Sequence, residues 1–318
     1  MKRTSKKTRC LVIGGSGFIG LTVVERLLEE GYQVRIFAKP SRALQSKRTS
    51  VTDLEWFYGD FQNKSDINQA LTGIDSVIHL ASTAVPQSAS NDPGWDLTTN
   101  VLPTIQLVDA MVKQGIRSIV FASSGGTVYG PTHDALITED HPTNPIVAYG
   151  VSKLAIEKYL LLYKAHNKIE PIILRIANVY GERQVLNKEQ GAVGVFLSKA
   201  MGRLPIEIWG DGSVTRDYVY VGDVAKAFVA AIEYSGKYSI FNIGMGQGTS
   251  LNELIQHIDA ALGIPCNVQY QRARTFDTPI NVLNISLAKA ELNWKPKISV
   301  CEGLKKTIVW AKTTRSWE

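Results

Sequence analysis

A tyrosine and a lysine four residues apart are the side chains in this sequence best suited to acid–base chemistry. Tyr149 and Lys153 lie in a stretch with helical spacing, and one turn of helix places the phenol and the ammonium group on the same face. A free phenol has a pKa of about 10, so a base at neutral pH needs a fall of roughly three units, or about 4 kcal/mol. A neighbouring ammonium group and a bound cationic ring both favour the phenolate. The pair therefore predicts a catalytic base.

Two hydroxyl groups precede this pair at the end of a predicted strand. Ser124 and Thr127 lie in the run Ser123-Ser124-Gly125-Gly126-Thr127-Val128-Tyr129-Gly130. Open α/β sheets bind their ligands beyond the carboxyl ends of the strands, which is where this run is expected. Either hydroxyl could bridge a substrate and Tyr149, and the sequence leaves the choice between them open.

A glycine motif, G-x-x-G-x-x-G, follows the first predicted strand and opens an amphipathic helix. Gly14 permits a tight turn, Gly17 lets a pyrophosphate approach the backbone, and Gly20 lets the helix pack against the sheet. The strand–turn–helix context makes this a predicted dinucleotide site, to which Phe18 and Ile19 also belong.

The adenosine end of that site leaves the cofactor open between NAD and NADP. The second strand ends at Ala38 instead of the acid that would bind the ribose hydroxyls. Lys39 and Arg42 follow, and they suit a 2′-phosphate as well as they suit a solvated basic loop. After the third strand, Asp60 could accept a hydrogen bond from the adenine amino group. The other residues expected around the dinucleotide are Phe61, Leu80, Ala81 and Ser82.

Short apolar runs alternate with helical patterns over residues 10–177. This order predicts an α/β fold, with a doubly wound parallel Rossmann sheet covered by helices on both faces. Loops rich in Gly, Pro and Asp follow, so residues 178–318 are expected to form mainly a smaller C-terminal α/β region that caps the substrate, with some elements returning to the Rossmann domain. The predicted strands are Cys10–Ile13, Gln33–Phe37, Leu54–Phe57, Ser76–Leu80, Ser118–Ala122 and Ile172–Ile176.

Composition excludes several classes of protein. The chain has 318 residues, 44% apolar and 20% charged, which is typical of a globular protein with a packed core. No apolar run approaches 18 residues, so no membrane span is predicted. Three widely spaced cysteines fit a reducing compartment, and a cytoplasmic location is expected. Positive charge is concentrated in residues 1–9, expected to be a disordered basic tail, so the near-neutral remainder does not predict binding to nucleic acid.

Taken together, the motifs resemble those of the extended short-chain dehydrogenase/reductases. Within them the sequence is most similar to the NAD-dependent epimerases and dehydratases of nucleotide sugars, above all to the UDP-glucose 4-epimerase group. Besides the segments above, the resemblance rests on Asn100-Val101 and on residues 174–181, 209–212 and 215–219, and it covers residues 10 to about 312.

The resemblance implies a role for each matching position. Tyr149 is expected to be the base, Lys153 its tuning residue and a ribose ligand, and Asn100 a cofactor residue. Asn281, seven positions after a phosphate-binding arginine, is expected to admit an N-acetyl group beside the sugar. Residues expected to hold the nucleoside diphosphate are Asn178, Gly191, Ala192, Trp209, Arg216 and Arg274.

The family resemblance also implies a homodimer formed by the helix after Asn100 and the helix after Tyr149. Relatives pack these two helices into a four-helix bundle across the two-fold axis. The apolar residues expected to supply the two faces are Val108, Met111, Val112, Leu154, Tyr159 and Leu162.

Two departures from the family pattern bear on the reaction. Gly125 stands where relatives place the catalytic Ser or Thr, and Gly126-Thr127 replaces the Asp-Glu pair of 4,6-dehydratases. The leading interpretation is a 4-epimerase of UDP-hexoses or UDP-N-acetylhexosamines that works through a 4-keto sugar. The alternatives are an NADP-dependent 4-ketoreductase or dehydratase and, in another class, a non-catalytic dinucleotide-binding regulator. The histidines and cysteines show no metal-ligand spacing, so no metal is expected.

Overall fold

The computed structural model describes residues 8–39, 53–83, 86–132, 136–186, 191–273 and 278–314, without the side chains of 86–88. Two of the predicted site residues, Arg42 and Arg274, lie outside the described residues. So do the first seven residues of the predicted basic tail.

A parallel sheet of seven strands forms the centre of the molecule. The strands are β1 Arg9–Ile13, β2 Gln33–Ala38, β3 Leu54–Tyr58, β4 Ser76–His79, β5 Ser118–Ser124, β6 Glu170–Ile176 and β10 Ile240–Ile243. Their order across the sheet is β10-β6-β5-β4-β1-β2-β3. The predicted doubly wound sheet is confirmed, and its first six strands begin and end within two residues of the predicted bounds. The seventh strand comes from the second half of the chain and extends the sheet beside β6.

Helices cover both faces of this sheet because successive strand residues point to opposite sides. Cys10 and Val12 of β1 belong to one apolar core, and Leu11 and Ile13 belong to the other. The described helices are α1 Phe18–Glu29, α2 Lys64–Ala70, α3 Pro86–Asn91, α4 Pro93–Asp96, α5 Leu102–Lys113, α6 Ala148–Ala165, α7 Ala192–Met201, α8 Val221–Glu233, α9 Leu251–Leu262, α10 Ser286–Glu291 and α11 Val300–Thr314, with a π-helical turn at Leu97–Val101.

A smaller region lies beyond the carboxyl ends of the central strands. Its strands are β7 Asn178–Tyr180, β8 Ile206–Trp209, β9 Thr215–Tyr220, β11 Gly248–Ser250, β12 Val268–Gln271 and β13 Ile280–Asn281. β9 pairs with β7, β11 and β13, and β8 pairs with β12. A third apolar core lies between these strands and the helices α7, α9 and α11.

Helix α8 returns to the central sheet and packs against α1. Its buried residues, Val224 and Phe228 among them, join the core that covers one face of that sheet. Over the part of the chain that the structure describes, no helix has both the length and the apolar character needed to cross a membrane.

Candidate active site

A cavity of about 910 Å³ opens at the carboxyl ends of the central strands, between the sheet and the smaller region. It runs from the start of α1 at one end to β8 and β9 at the other. Most of the predicted site residues that the structure describes line it. These are Gly17, Phe18, Ile19, Leu80, Ser82, Ser124, Thr127, Tyr149, Lys153, Asn178, Gly191, Ala192, Trp209 and Arg216.

The glycine turn is shaped for a pyrophosphate. Gly14 has φ +84°, and a Cβ there would lie 2.7 Å from the backbone nitrogen of Ala81. A Cβ on Gly20 would lie 2.1 Å from the carbonyl oxygen of Gly14, so the helix approaches the turn only without a side chain. Gly17 is the N-cap of α1, and no side chain caps the helix there. The N-terminus of α1 therefore faces the cavity with its backbone N–H groups available to an anion.

At the adenosine end, Lys39 already has an acidic partner. Its Nζ lies 3.4 Å from Oδ2 of Asp60, and both side chains are about half exposed. Phe61 is buried and packs edge-on against Phe37. Lys39 is thus paired with a carboxylate in the protein alone.

Asn100 acts on the cavity through its neighbours instead of lining it. Its Oδ1 accepts a hydrogen bond from the backbone N–H of Thr83 at 2.9 Å, and its Nδ2 donates to Oδ1 of Asp96 at 2.8 Å. Asp96 is buried, and its Oδ2 has no hydrogen-bond partner among the described residues. Asn100 therefore fixes the chain segment after β4, on which Ser82 lies.

Lys153 is almost completely buried beside Tyr149, as the spacing predicts. Its Nζ donates to the carbonyl oxygen of Ala122 at 2.9 Å and lies 5.6 Å from the centre of the Tyr149 ring. Burial lowers the pKa of Lys153 to about 8, against the charges of Asp96 and Glu157, which raise it.

The expected fall in the pKa of Tyr149 is absent from the protein alone. Burial raises this pKa to about 12, and the charge of Asp96 adds to the rise. The expectation that Lys153 favours the phenolate is therefore insufficient by itself. Desolvation dominates the pKa of Tyr149 in the protein alone, and a second positive charge beside the phenol is required.

Of the two candidate hydroxyls, only that of Thr127 is buried without a partner. Its Oγ1 has no hydrogen-bond partner among the described residues, although the residue lines the cavity. Ser124 also lines the cavity, at the end of β5. A buried hydroxyl normally has a partner, so the Thr127 hydroxyl is placed to meet one on a ligand.

Gly125 cannot carry the side chain that relatives place there without repacking. A Cβ at this position would lie 2.5 Å from Cδ1 of the buried Leu283 and 3.2 Å from the carbonyl oxygen of Arg175. The absence of a hydroxyl at position 125 therefore goes together with Leu283, whose side chain occupies that space.

Restoring a serine at this position is therefore expected to harm the protein. Gly125→Ser should lower the free energy of unfolding by about 1–3 kcal/mol, the usual cost of overpacking, without raising turnover. Gly126→Ser is the matched control, because the nearest atom to its Cβ would be Oγ of Ser124 at 4.0 Å. Denaturant unfolding of both variants measures the difference. Equal stabilities would show that Leu283 does not restrict position 125.

At the end of the cavity away from α1, polar groups converge from four elements. Asn178 donates from Nδ2 to the carbonyl oxygen of Asp217 at 3.1 Å. Arg216 donates from one terminal nitrogen to the carbonyl oxygen of Thr278 at 2.7 Å. Gly191 has φ +79° and forms the N-cap of α7 without a side-chain cap. Trp209 lines the cavity with 41% of its surface exposed.

Asn281 lies behind the cavity wall. It is 4% exposed, it does not line the cavity, and its Nδ2 donates to the carbonyl oxygen of Gly125 at 3.3 Å. Its Oδ1 has no partner among the described residues. An influence of Asn281 on the sugar would therefore pass through Gly125.

Four polar residues that line the cavity were not predicted from the sequence: Ser123, Gln184, Glu207 and Tyr218. Tyr218 is 3% exposed, and its hydroxyl has no partner among the described residues; the same holds for Oε1 of Gln184. Tyr218 could have been found, since it lies two residues after Arg216 on a strand and therefore on the same face. Gln184 lies in a loop and gives no periodic signal. Such orphaned groups fit a large polar ligand.

Known proteins are similar to this chain in sequence and in fold. Residues 10–244 match the family described as NAD dependent epimerase/dehydratase. A UDP-glucose 4-epimerase of Mycolicibacterium smegmatis is 35% identical, over 94% of this chain and 97% of its own. A dTDP-4-dehydro-6-deoxyglucose reductase of Escherichia coli is 32% identical, over 96% of this chain and 98% of its own.

A crystal structure of UDP-glucose 4-epimerase from Thermotoga maritima, with UDP-glucose, superposes with a TM-score of 0.89 at 32% identity. The match covers 97% of this chain and all of that one. The family resemblance drawn from the motifs is thereby confirmed. With the glycine turn, the Tyr149–Lys153 pair and a family match over most of its length, this chain belongs to the NAD dependent epimerase/dehydratase family.

Proposed function

We propose that this chain is a UDP-sugar 4-epimerase that works with NAD. The observation that carries the proposal is one cavity that joins the dinucleotide turn, the Tyr149–Lys153 pair and the unpartnered hydroxyl of Thr127. Lys39 pairs with Asp60, which supports NAD over NADP. The identity of the cofactor is tested by denaturing the purified protein and measuring the mass of the released nucleotide by mass spectrometry. NAD is expected, and protein that is empty and binds only NADPH would oppose the proposal.

The residues of this chain divide the work of oxidation between them. NAD, when bound, supplies a hydride acceptor and donor together with a positive charge near the phenol. Tyr149 takes the proton of the sugar 4-hydroxyl, and Thr127 relays or orients it. Lys153 holds the cofactor ribose and stabilises the phenolate. Without the cofactor, the pKa of Tyr149 is about 12. Tyr149 therefore removes the proton of the sugar hydroxyl efficiently only when the positive charge of the cofactor is present.

Inversion requires that the 4-keto sugar present its other face to the same hydride. The diphosphate end is held by Asn178, Arg216 and the N-terminus of α7, and the sugar end lies beside Tyr149 and Thr127 in the same cavity. A sugar that is anchored mainly through its diphosphate can rotate in this way. Tyr149 then returns the proton to the 4-oxygen, and the cofactor is regenerated in each cycle.

The competing functions are less well supported by the site. No carboxylate stands at Gly126 or Thr127, so dehydration lacks the acid–base pair that dehydratases use. A regulator that only senses a dinucleotide needs neither a buried Lys153 nor a cavity for a second ligand. A 4-ketoreductase has the same catalytic pair, and the reductase among the relatives keeps it as the second candidate.

Thr127 is the hydroxyl proposed to act with Tyr149. Thr127→Val keeps the shape and removes the oxygen, and it should lower turnover by about 100-fold. Ser124→Ala should cost less than about tenfold, because that hydroxyl is not the buried orphan. Steady-state kinetics on both variants compare the two. A larger loss in Ser124→Ala would reverse the assignment.

Acceptance of N-acetylated sugars is also proposed, with Asn281 acting indirectly. A tyrosine at position 281 has to displace Gly125, which Asn281 contacts. The chain neighbours of Gly125, Ser124 and Gly126, line the cavity and would move with it. Asn281→Tyr should therefore lower the ratio of activity on UDP-N-acetylhexosamines to activity on UDP-hexoses. An unchanged ratio in folded protein would remove Asn281 from the determinants of specificity.

A homodimer through α5 and α6 is proposed, with a corrected set of contact residues. Val108 and Met111 are 2% and 0% exposed, so they belong to the protein's own core and cannot form the dimer face. Leu102, Tyr159 and Leu162 are 49%, 42% and 50% exposed on these helices. Parent protein should sediment as a dimer at micromolar concentration, and Leu102→Glu with Leu162→Glu should sediment as a monomer. A monomeric parent would contradict the proposal.

A cytoplasmic location is proposed from the thiols. Cys10, Cys266 and Cys301 are all free, and Cys10 is buried in the core. Free thiols persist in a reducing compartment.

A further inference from the structure

A buried charged cluster lies directly behind the catalytic face of α6. Glu157 is 0% exposed and follows Lys153 by one helical turn, on the same side of the helix. It does not line the cavity. Its carboxylate accepts a hydrogen bond from the Ser123 hydroxyl, and it accepts two more from Arg175, at 3.2 Å from Nε and 2.7 Å from a terminal nitrogen.

Each partner of Glu157 belongs to a different strand. Ser123 lies near the end of β5, and Arg175 is its register neighbour on β6. Arg175 also donates to the carbonyl oxygen of Glu139 at 3.0 Å, and its guanidinium lies 4.8 Å from the ring of Tyr129. The cluster is therefore well satisfied, and it joins α6 to two central strands at their carboxyl ends.

Stability alone does not account for such a cluster. Burying an ion pair costs desolvation that its mutual attraction only partly offsets, and apolar residues of similar volume often serve a core as well. A buried pair of this kind also fixes the relative positions of the elements that it joins.

The geometry fixed here is that of the reacting groups. Ser123 and Ser124 both border the cavity, and because side chains alternate along a strand, holding the Ser123 hydroxyl toward α6 turns the Ser124 hydroxyl to the opposite side. Thr127 depends on Ser124, because its N–H donates to the Ser124 carbonyl at 3.3 Å. The other side of that turn touches α6, since a Cβ on Gly150 would lie 2.7 Å from the Thr127 carbonyl oxygen.

We propose that Glu157 is a positioning residue, which holds the Ser124–Thr127 turn at a fixed distance from Tyr149 and Lys153 through Ser123 and Arg175. The proposal rests on the proposed function, because it concerns the alignment of that reaction. Glu157 follows Tyr149 and Lys153 on the next turn of α6, on the same face of the helix. It acts there without touching substrate or cofactor.

The first test removes the Ser123 hydroxyl alone. Ser123→Ala should lower kcat between about tenfold and 100-fold, the range expected for a small misalignment, with unchanged KM for the UDP-sugar and unchanged NAD content. Ser118→Ala is the matched control. Ser118 lies at the other end of β5, and its hydroxyl is paired with that of Ser76 at 2.8 Å. The control should lose comparable thermal stability and keep its kcat.

The second test replaces the ion pair with apolar residues, as Glu157→Leu with Arg175→Met. Folded protein that retains NAD and has a lowered kcat supports positioning. Parental kcat in this folded variant, or equal losses of kcat in Ser123→Ala and Ser118→Ala, would overturn it. If the double variant fails to fold, the serine pair decides. A parent protein without epimerase activity would refute the proposed function instead, so the two failures are distinguishable.

Discussion

Replacing Tyr149 with phenylalanine should lower turnover by at least about 100-fold while the protein keeps its fold and its dinucleotide. The ring remains to pack beside Lys153, whose Nζ lies 5.6 Å from its centre, and only the proton acceptor is lost. General acid–base catalysis typically contributes 10²- to 10⁴-fold, so this loss is at the low end of the range. Single-turnover kinetics with a UDP-sugar measure it.

The control for this variant is Tyr163→Phe on the same helix. The Tyr163 hydroxyl donates to Asp109 and does not line the cavity, so its loss should leave turnover unchanged. Near-parental turnover in Tyr149→Phe would remove Tyr149 from the mechanism.

Replacing Lys153 with methionine should have an effect of similar size by a different route. The methionine fills the buried space but removes the ammonium group that donates to Ala122 and lies beside the ring of Tyr149. Turnover should fall at least about 100-fold, and the purified protein should also lose bound NAD, because the ribose ligand is gone. Lys158→Met, an exposed lysine on the same helix, should change neither.

The two readouts separate the roles of Lys153. Loss of NAD together with turnover that excess cofactor restores would confine Lys153 to cofactor binding. Parental turnover and parental NAD content would contradict both roles.

Much of the fold was predictable because its determinants are local. Continuous apolar runs such as Ser118–Ala122 mark strands covered on both faces, and helices α1 and α9 begin and end at caps or apolar repeats that the sequence displays. The addition of β10 beside β6 was not predictable in the same way. Its pairing joins residues 240–243 to 173–176 across a long stretch of intervening chain, and no local pattern encodes such a contact.

The candidate site divides along the same line. Tyr149 with Lys153, and Gly14 with Gly20, were predictable because their spacing is set by one helix or one turn. Whether a side chain faces the cavity depends on neighbours that are distant in sequence. Asn281 is turned against Gly125 by strand β13, and Gln184 enters the cavity from a loop.

The electrostatic properties of the site differ most from the predictions made from the sequence. The spacing of Tyr149 and Lys153 indicates a lowered phenol pKa, yet burial raises it to about 12. Desolvation of the phenol depends on all the residues that enclose it in three dimensions. The charge of Asp96 raises the pKa further, and no helical spacing links Asp96 to Tyr149. The interpretation of Lys39 also depends on a residue distant in sequence, since Asp60 lies 3.4 Å away.

The most direct test of 4-epimerase activity is the fate of a UDP-sugar incubated with the purified protein and no added coenzyme. Proton NMR of the sugar over time distinguishes the C4 epimers and also reports any net reduction. A UDP-sugar that converts to an equilibrium mixture of its two C4 epimers, with bound NAD unchanged in amount, is the expected result. Absence of the epimer, together with NADPH-dependent reduction of a 4-keto nucleotide sugar by the same protein, would contradict it.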